Sequence, residues 1–182
     1  DRHAEGGRAD QAAIIHDSPV TGTKRRITYG ELRDEVAVLA GILADLGVTK
    51  GDRVVIYMPM VPEALFGMLA CARLGAVHSV VFGGFAANEL AIRIEDAAPK
   101  VVLAASCGIE PSRVVAYKPL LDAALAASAH QPAACLILQR PQAAAELVPG
   151  RDHDWAETVA RAETEGRRAA CVDVAATDPL YI

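Results

Sequence analysis

Two short turns in this chain carry residue types that could hold an anionic ligand. The first is Gly83-Gly84, directly after the apolar run Val77–Phe82. Paired glycines let a backbone approach a ligand closely and leave amide hydrogens free to face a phosphate. The second is the stretch Gly108–Arg113, where Arg113 follows Pro111-Ser112 and offers a guanidinium fork suited to phosphate oxygens. Each also has a plainer reading. A double glycine serves equally as a tight strand-to-helix turn, and a lone arginine as a solvated surface charge. The sequence contains no GxGxxG, no GK[ST] and no GxSxG, so dinucleotide, P-loop and hydrolase readings find no support. His78 lies inside an apolar run and reads as a satisfied core histidine. His16, His130 and His153 fall in expected loops without partners at metal-ligand spacing. Glu95 and Asp96 are neighbours on an expected helix and diverge, which is wrong for a paired acid and base. Taken by themselves, these residues form no catalytic centre.

The two turns matter only if the elements around them bring them together. Strands of a parallel sheet end at one edge, and open α/β sheets bind ligands outside that edge. The pattern fits such a sheet. Ala12–His16 and Arg25–Thr28 flank a Pro/Gly/Ser/Thr cluster and predict an edge hairpin. Thr28, with Glu31 three residues on, predicts a capping box opening a helix with the stripe Leu32, Val36, Leu39, Leu43 and Leu46, stopped at Gly47. A doubly apolar strand Val54–Met58 follows, then a helix from Pro62 to Leu74, the strand Val77–Phe82, a helix Ala87–Ala97 and the strand Val101–Ala105. A helix from about Val114 to Ala127 and a strand Cys135–Leu138 extend the alternation. Beyond Pro141 the spacing predicts a short helix anchored by Trp155 and a strand-like "ACVDVA" at Ala170–Ala175.

The expected fold class is therefore α/β: a doubly wound, mainly parallel sheet with helices on both faces. Residues 1–29 form its N-terminal edge hairpin, 30–140 the sheet core, and 141–182 a peripheral segment. Composition agrees, with 182 residues, 52% hydrophobic and 23% charged. A formal charge of -5 with interspersed signs gives no footprint for nucleic acid or an anionic membrane surface. Cys71, Cys107, Cys135 and Cys171 sit among small apolar residues and read as buried thiols of a reducing, cytoplasmic protein. Neither end has the character of a natural boundary, so the chain reads as a piece of a longer polypeptide.

Longer motifs point to a family. "TYGEL" at Thr28–Leu32, "GDRVVIYMPM" at Gly51–Met60 and "HSVVFGGF" at His78–Phe85 closely resemble the N-terminal region of the AMP-forming acyl-CoA synthetases, an adenylating superfamily. "SCGIEPSRVVAYKPLLD" at Ser106–Asp122 is more similar to its propionyl-CoA branch than to its acetyl-CoA branch. "DPLYI" at Asp178–Ile182 resembles the segment leading into that family's Ser/Thr/Gly-rich phosphate-binding loop. The resemblance covers the chain from about Gly6 to Ile182.

It implies an acid–thiol ligase that uses ATP, Mg and coenzyme A on a small carboxylic acid. The ATP loop, acyl pocket, metal ligand and catalytic lysine would lie beyond Ile182, leaving the fragment inactive by itself. In the acetyl-CoA branch a Phe-Gly-Gly turn and an arginine pair line the coenzyme A nucleotide site. The matching positions here are Phe82, Gly83, Gly84 and Arg113, while the first arginine of the pair is Glu110 and the following helix begins Ala86-Ala87 rather than Ser-Pro. Two other readings stay open: a free-standing flavodoxin-like nucleotide-binding module, and a ligase of another adenylating branch.

Overall fold

A computed structural model describes residues 1–182. After an irregular helical turn at Ala4–Arg8, strands β1 (Ala12–Ser18) and β2 (Thr23–Thr28) pair antiparallel as a separate two-stranded sheet. Helix α1 (Tyr29–Asp45) starts at the expected capping box: the Thr28 hydroxyl accepts from the Glu31 amide at 3.2 Å, and the Glu31 carboxylate accepts from the Thr28 amide at 2.7 Å. Its burial is broader than one stripe, running unbroken from Val36 to Leu43. The cause is a second cover: the backbone of Arg167-Arg168 crosses so close to Gly41 that a Cβ there would lie 3.1 Å from it.

The remaining elements are β3 (Arg53–Met58), α2 (Pro62–Leu74), β4 (Val77–Phe82), α3 (Ala87–Ala97), β5 (Val101–Ala105), β6 (Cys107–Glu110), β7 (Arg113–Ala116), α4 (Tyr117–Ala127), β8 (Ala134–Leu138), β9 (Asp152–Asp154) and α5 (Trp155–Thr164). Proline opens α2 and left-handed Gly75 (φ 66°) closes it, as their spacing predicts. Strands β4-β3-β5-β8-β9 lie in that order, each parallel to its neighbours. Alternate side chains of β3, β5 and β8 enter two cores. Val54, Ile56, Leu103 and Leu136 pack with α1, α2 and α5; Val55, Tyr57, Val102 and Ile137 pack with α3 and α4. The sheet is doubly wound, and the chain leaves β3 for β4 on one side and returns to β5 on the other. Such a reversal, here between β3 and β5, is where open α/β sheets take ligands at the carboxyl ends of their strands.

Several expectations need correction. Helix α4 begins at Tyr117, because the residues before it form the β6–β7 hairpin. "ACVDVA" forms no strand: the Val172 amide donates to the Arg73 carbonyl at 3.0 Å, and the segment runs along the end of α2. Cys71, Cys107 and Cys135 are buried, but Cys171 on that segment is exposed. His78 is not a satisfied core residue. Its Nδ1 is buried without a partner, and its ring stacks on Tyr181 at 5.9 Å where the chain's last residues pair with β4. No helix is long and apolar enough to cross a membrane.

Candidate functional site

Phe82 ends β4, and its side chain is 73% exposed. Gly83-Gly84 follows, with Gly84 at φ 109°, a backbone conformation that any other residue would adopt only with strain. The Phe85 amide returns to the Phe82 carbonyl at 3.3 Å, closing a tight turn at the carboxyl edge. Helix α3 then starts without a side-chain cap from Ala86. The turn is held from below: the Tyr57 hydroxyl, on β3, donates to the Phe85 carbonyl at 3.1 Å. Burial pushes the Tyr57 phenol up to about 12, so it stays a donor at any physiological pH.

The second turn differs from the sequence expectation. Gly108–Arg113 runs along β6, round a hairpin tip at Pro111-Ser112 and into β7, with Glu110 facing Arg113. Arg113 therefore sits on β7 rather than at a helix start. The base of the hairpin is clamped through Ser106, whose carbonyl accepts from the Tyr117 amide at 2.9 Å and whose hydroxyl accepts from the Arg140 amide at 2.9 Å.

One side chain joins the two turns. A Cβ built on Gly83 would meet the Tyr117 hydroxyl oxygen first and lie 2.8 Å from Cε2, and one built on Gly108 would again meet the hydroxyl oxygen first and lie 2.7 Å from Cε1. Both are closer than carbon atoms pack. The two glycines thus flank the hydroxyl end of one phenol ring from its two sides, and the ring itself packs on Tyr57 with ring centres 5.0 Å apart. Gly83 and the root of the hairpin are brought together across the end of β3. Arg113 lies two residues further toward the tip than Gly108's partner Val115, a reach of about 7 Å at the usual strand rise.

The charge on Arg113 already has a partner. Its Nε donates to Glu110 Oε2 at 2.7 Å, with the two side chains 68% and 44% exposed. Arg113's hydrogen bond holds the Glu110 carboxyl below its usual range. A phosphate reaching this hairpin would compete with one solvated carboxylate, and exposed pairs of this kind exchange partners at little cost.

Two of the histidines expected in loops lie on strands instead. His16 lies on β1 and His153 on β9, and His130 Nε2 sits 2.8 Å from the Pro99 carbonyl. Glu95 accepts from the Ala129 amide at 3.0 Å and so ties α3 to the end of α4. A cavity of about 400 Å³ lies between the N-terminal turn, α1 and α2, where Tyr29, Arg33 and Arg73 line it, and it contains none of the residues above. A second, about 270 Å³, opens beside the carboxyl ends of β3 and β8. Its cations are engaged, Arg25 with Glu35 and Glu63, and Arg140 with the Cys107 carbonyl at 3.1 Å.

Sequence reasoning found the two turns but missed Tyr57 and Tyr117. Both look like ordinary apolar positions in the pattern, and only their contacts reveal what they support.

The sequence signature of the AMP-binding enzymes matches residues 1–182. The chain is 63% identical over its whole length to an uncharacterised protein of Pseudomonas aeruginosa, of which it spans 28%. It is 53% identical, again over its whole length, to the human mitochondrial acyl-CoA synthetase short-chain family member 3, of which it spans 26%. Against the propionate–CoA ligase of Salmonella typhimurium it is 47% identical over 79% of the chain and 23% of that protein. The crystal structure of a Brucella canis acyl-CoA synthetase superposes with a TM-score of 0.74 over 94% of this chain and 28% of that one, at 24% identity, a likeness of fold. The chain thus spans between a quarter and a third of the length of the first two relatives.

Proposed function

Because the chain belongs to the AMP-binding enzyme family, we propose that it is the N-terminal α/β portion of an AMP-forming short-chain acyl-CoA ligase. The reaction converts propionate or acetate, ATP and coenzyme A into acyl-CoA, AMP and diphosphate. A carboxylate oxygen attacks the α-phosphorus of ATP, and the bond to diphosphate breaks. The thiol of coenzyme A then gives up its proton and attacks the acyl carbon, and the acyl–oxygen bond to AMP breaks. The observation that carries this reading is the match through the whole sheet to relatives named as short-chain acyl-CoA synthetase and propionate–CoA ligase.

Within it, the nucleotide end of coenzyme A is assigned to Phe82, Gly83, Gly84 and Arg113. Three features support the assignment. The glycine turn opens at the carboxyl edge beside the switch point, where such sheets take ligands. The exposed Phe82 ring offers a surface against which a base can stack. Arg113 can exchange Glu110 for a phosphate. Magnesium is assigned, with the ATP loop and acyl pocket, to the remainder of the protein. The isolated chain is expected to be inactive. We place the enzyme in the cytoplasm on its four free thiols.

The test is to supply the intact protein with ATP, magnesium, coenzyme A and a panel of carboxylic acids. AMP and a propionyl or acetyl thioester should form together. Thioester formation with ADP instead of AMP, or no thioester from any short acid, would overturn the reading. Arg113→Ala should raise the KM for coenzyme A about tenfold, leaving carboxylate-dependent ATP–diphosphate exchange intact. An unchanged KM removes Arg113 from the site.

A further inference from the structure

We propose that Tyr117 is a positioning residue for coenzyme A: its ring sets the spacing between Gly83 and Gly108 and so fixes the backbone of the glycine turn against which the nucleotide end rests. This inference rests on the ligase reading above and adds to it a residue outside the Phe-Gly-Gly motif.

The turn cannot hold its own shape. Two successive glycines carry the largest backbone freedom of any dipeptide, and the helix that follows supplies no side-chain cap. Something outside the turn must fix it, and two tyrosines do. Tyr57 holds its exit by the hydrogen bond to the Phe85 carbonyl. Tyr117 fills its middle, so close that neither Gly83 nor Gly108 has room for a methyl group.

Tyr117 is itself immobilised. It is 5% exposed, it is the first residue of α4, and its amide is bound to the Ser106 carbonyl. Its neighbour Lys118 is anchored to Asp122 and Asp152 at 2.7 and 2.9 Å. A rigid ring, fixed from the helix side, is thus pressed against a flexible glycine turn. Movement of the ring must move Gly83, whereas the groups that would make the adenylate are not built on this hairpin. The spacing should therefore govern affinity for coenzyme A and spare the first half-reaction.

The experiment compares Tyr117→Ala, Tyr117→Leu, Tyr117→Phe and Arg113→Ala in the intact protein. It reads the KM for coenzyme A in thioester formation and the rate of carboxylate-dependent ATP–diphosphate exchange. Tyr117→Ala and Tyr117→Leu should raise the KM about tenfold with exchange held within about twofold, while Tyr117→Phe, which keeps the ring, stays close to the parent. Leucine retains most of the apolar volume and carries the test if the alanine variant does not fold. A KM unchanged in the alanine and leucine variants but raised in Arg113→Ala overturns the role of Tyr117 and leaves the site standing. A KM unchanged in all three overturns the coenzyme A assignment itself. Equal loss of both half-reactions reduces Tyr117 to general packing, and equal loss in Tyr117→Phe and Tyr117→Ala replaces spacing by a hydroxyl contact; either result overturns the proposal.

Discussion

Arg113 Nε donates to Glu110 Oε2 over 2.7 Å, closing an ion pair across the tip of the β6–β7 hairpin. The pair occupies the one guanidinium that the coenzyme A assignment needs, so the acid acts as a competitor for phosphate. Glu110→Gln should release Arg113 and lower the KM for coenzyme A about threefold, a gain that fades at about 0.5 M salt as screening weakens both attractions. Initial rates at several salt concentrations decide this. A KM that rises in Glu110→Gln would mean that the carboxylate orients Arg113 rather than competes for it.

The hydrogen bond from Tyr57 to the Phe85 carbonyl is made by a side chain with no solvent exposure. Tyr57→Phe keeps the ring and removes only the donor, which should cost about 1 kcal/mol. Urea unfolding should show a lower midpoint at an unchanged slope. A midpoint equal to the parent's would mean that the carbonyl finds water instead.

Lys118, Asp122, Arg151 and Asp152 form a network with Lys118 and Asp152 nearly sealed from solvent. Burial pushes the Asp152 carboxyl upward, but bonds from Arg151, the Val148 amide and Lys118 overcome it and hold the group below its ordinary 3.8. Its folded value is depressed, so its contribution is complete above 3.8 and is lost as pH falls through the folded value. Asp152→Ala strands a buried lysine beside a single half-exposed acid and should cost about 3 kcal/mol. Lys118→Met combined with Asp152→Leu, which leaves Arg151 paired with Asp122, should recover most of that loss in the same denaturant titration. A double variant no more stable than Asp152→Ala would show that the charges, rather than the packing, hold α4 to β9.

His78 keeps Nδ1 buried without a partner, and burial lowers its pKa from the ordinary 6.5. The unfolded chain takes up a proton below 6.5 that the folded chain resists, so this stability is present above 6.5 and drains away as pH falls toward the depressed value. Thermal unfolding between about pH 7 and 5 should therefore fall more steeply for the parent than for His78→Asn. Parallel curves would place the acid sensitivity elsewhere.

Much of the framework was legible because its signals are local. The capping box at Thr28, Pro62 at the start of α2, Gly75 at its end and the apolar runs of β3, β4 and β5 each act through residues a few positions apart. The β6–β7 hairpin was not legible, since its four-residue strands and Pro-Ser tip look like a turn leading into a helix. Neither was β9, since three residues are too few to show a strand's alternation and only their pairing with β8 defines them.

The sequence by itself determined the alternation of strands and helices, the doubly wound class, and the glycine turn and arginine as candidates for an anion. Only the tertiary structure decided that β3 separates β4 from β5, that Gly83 and Gly108 flank the hydroxyl end of Tyr117, that Arg113 is already paired, and that Lys118 and Asp152 are buried together. The physical reason is range. Dihedral preference and hydrophobic period are written within a few residues, whereas a contact partner is chosen among all side chains that the packed sheet makes available at once.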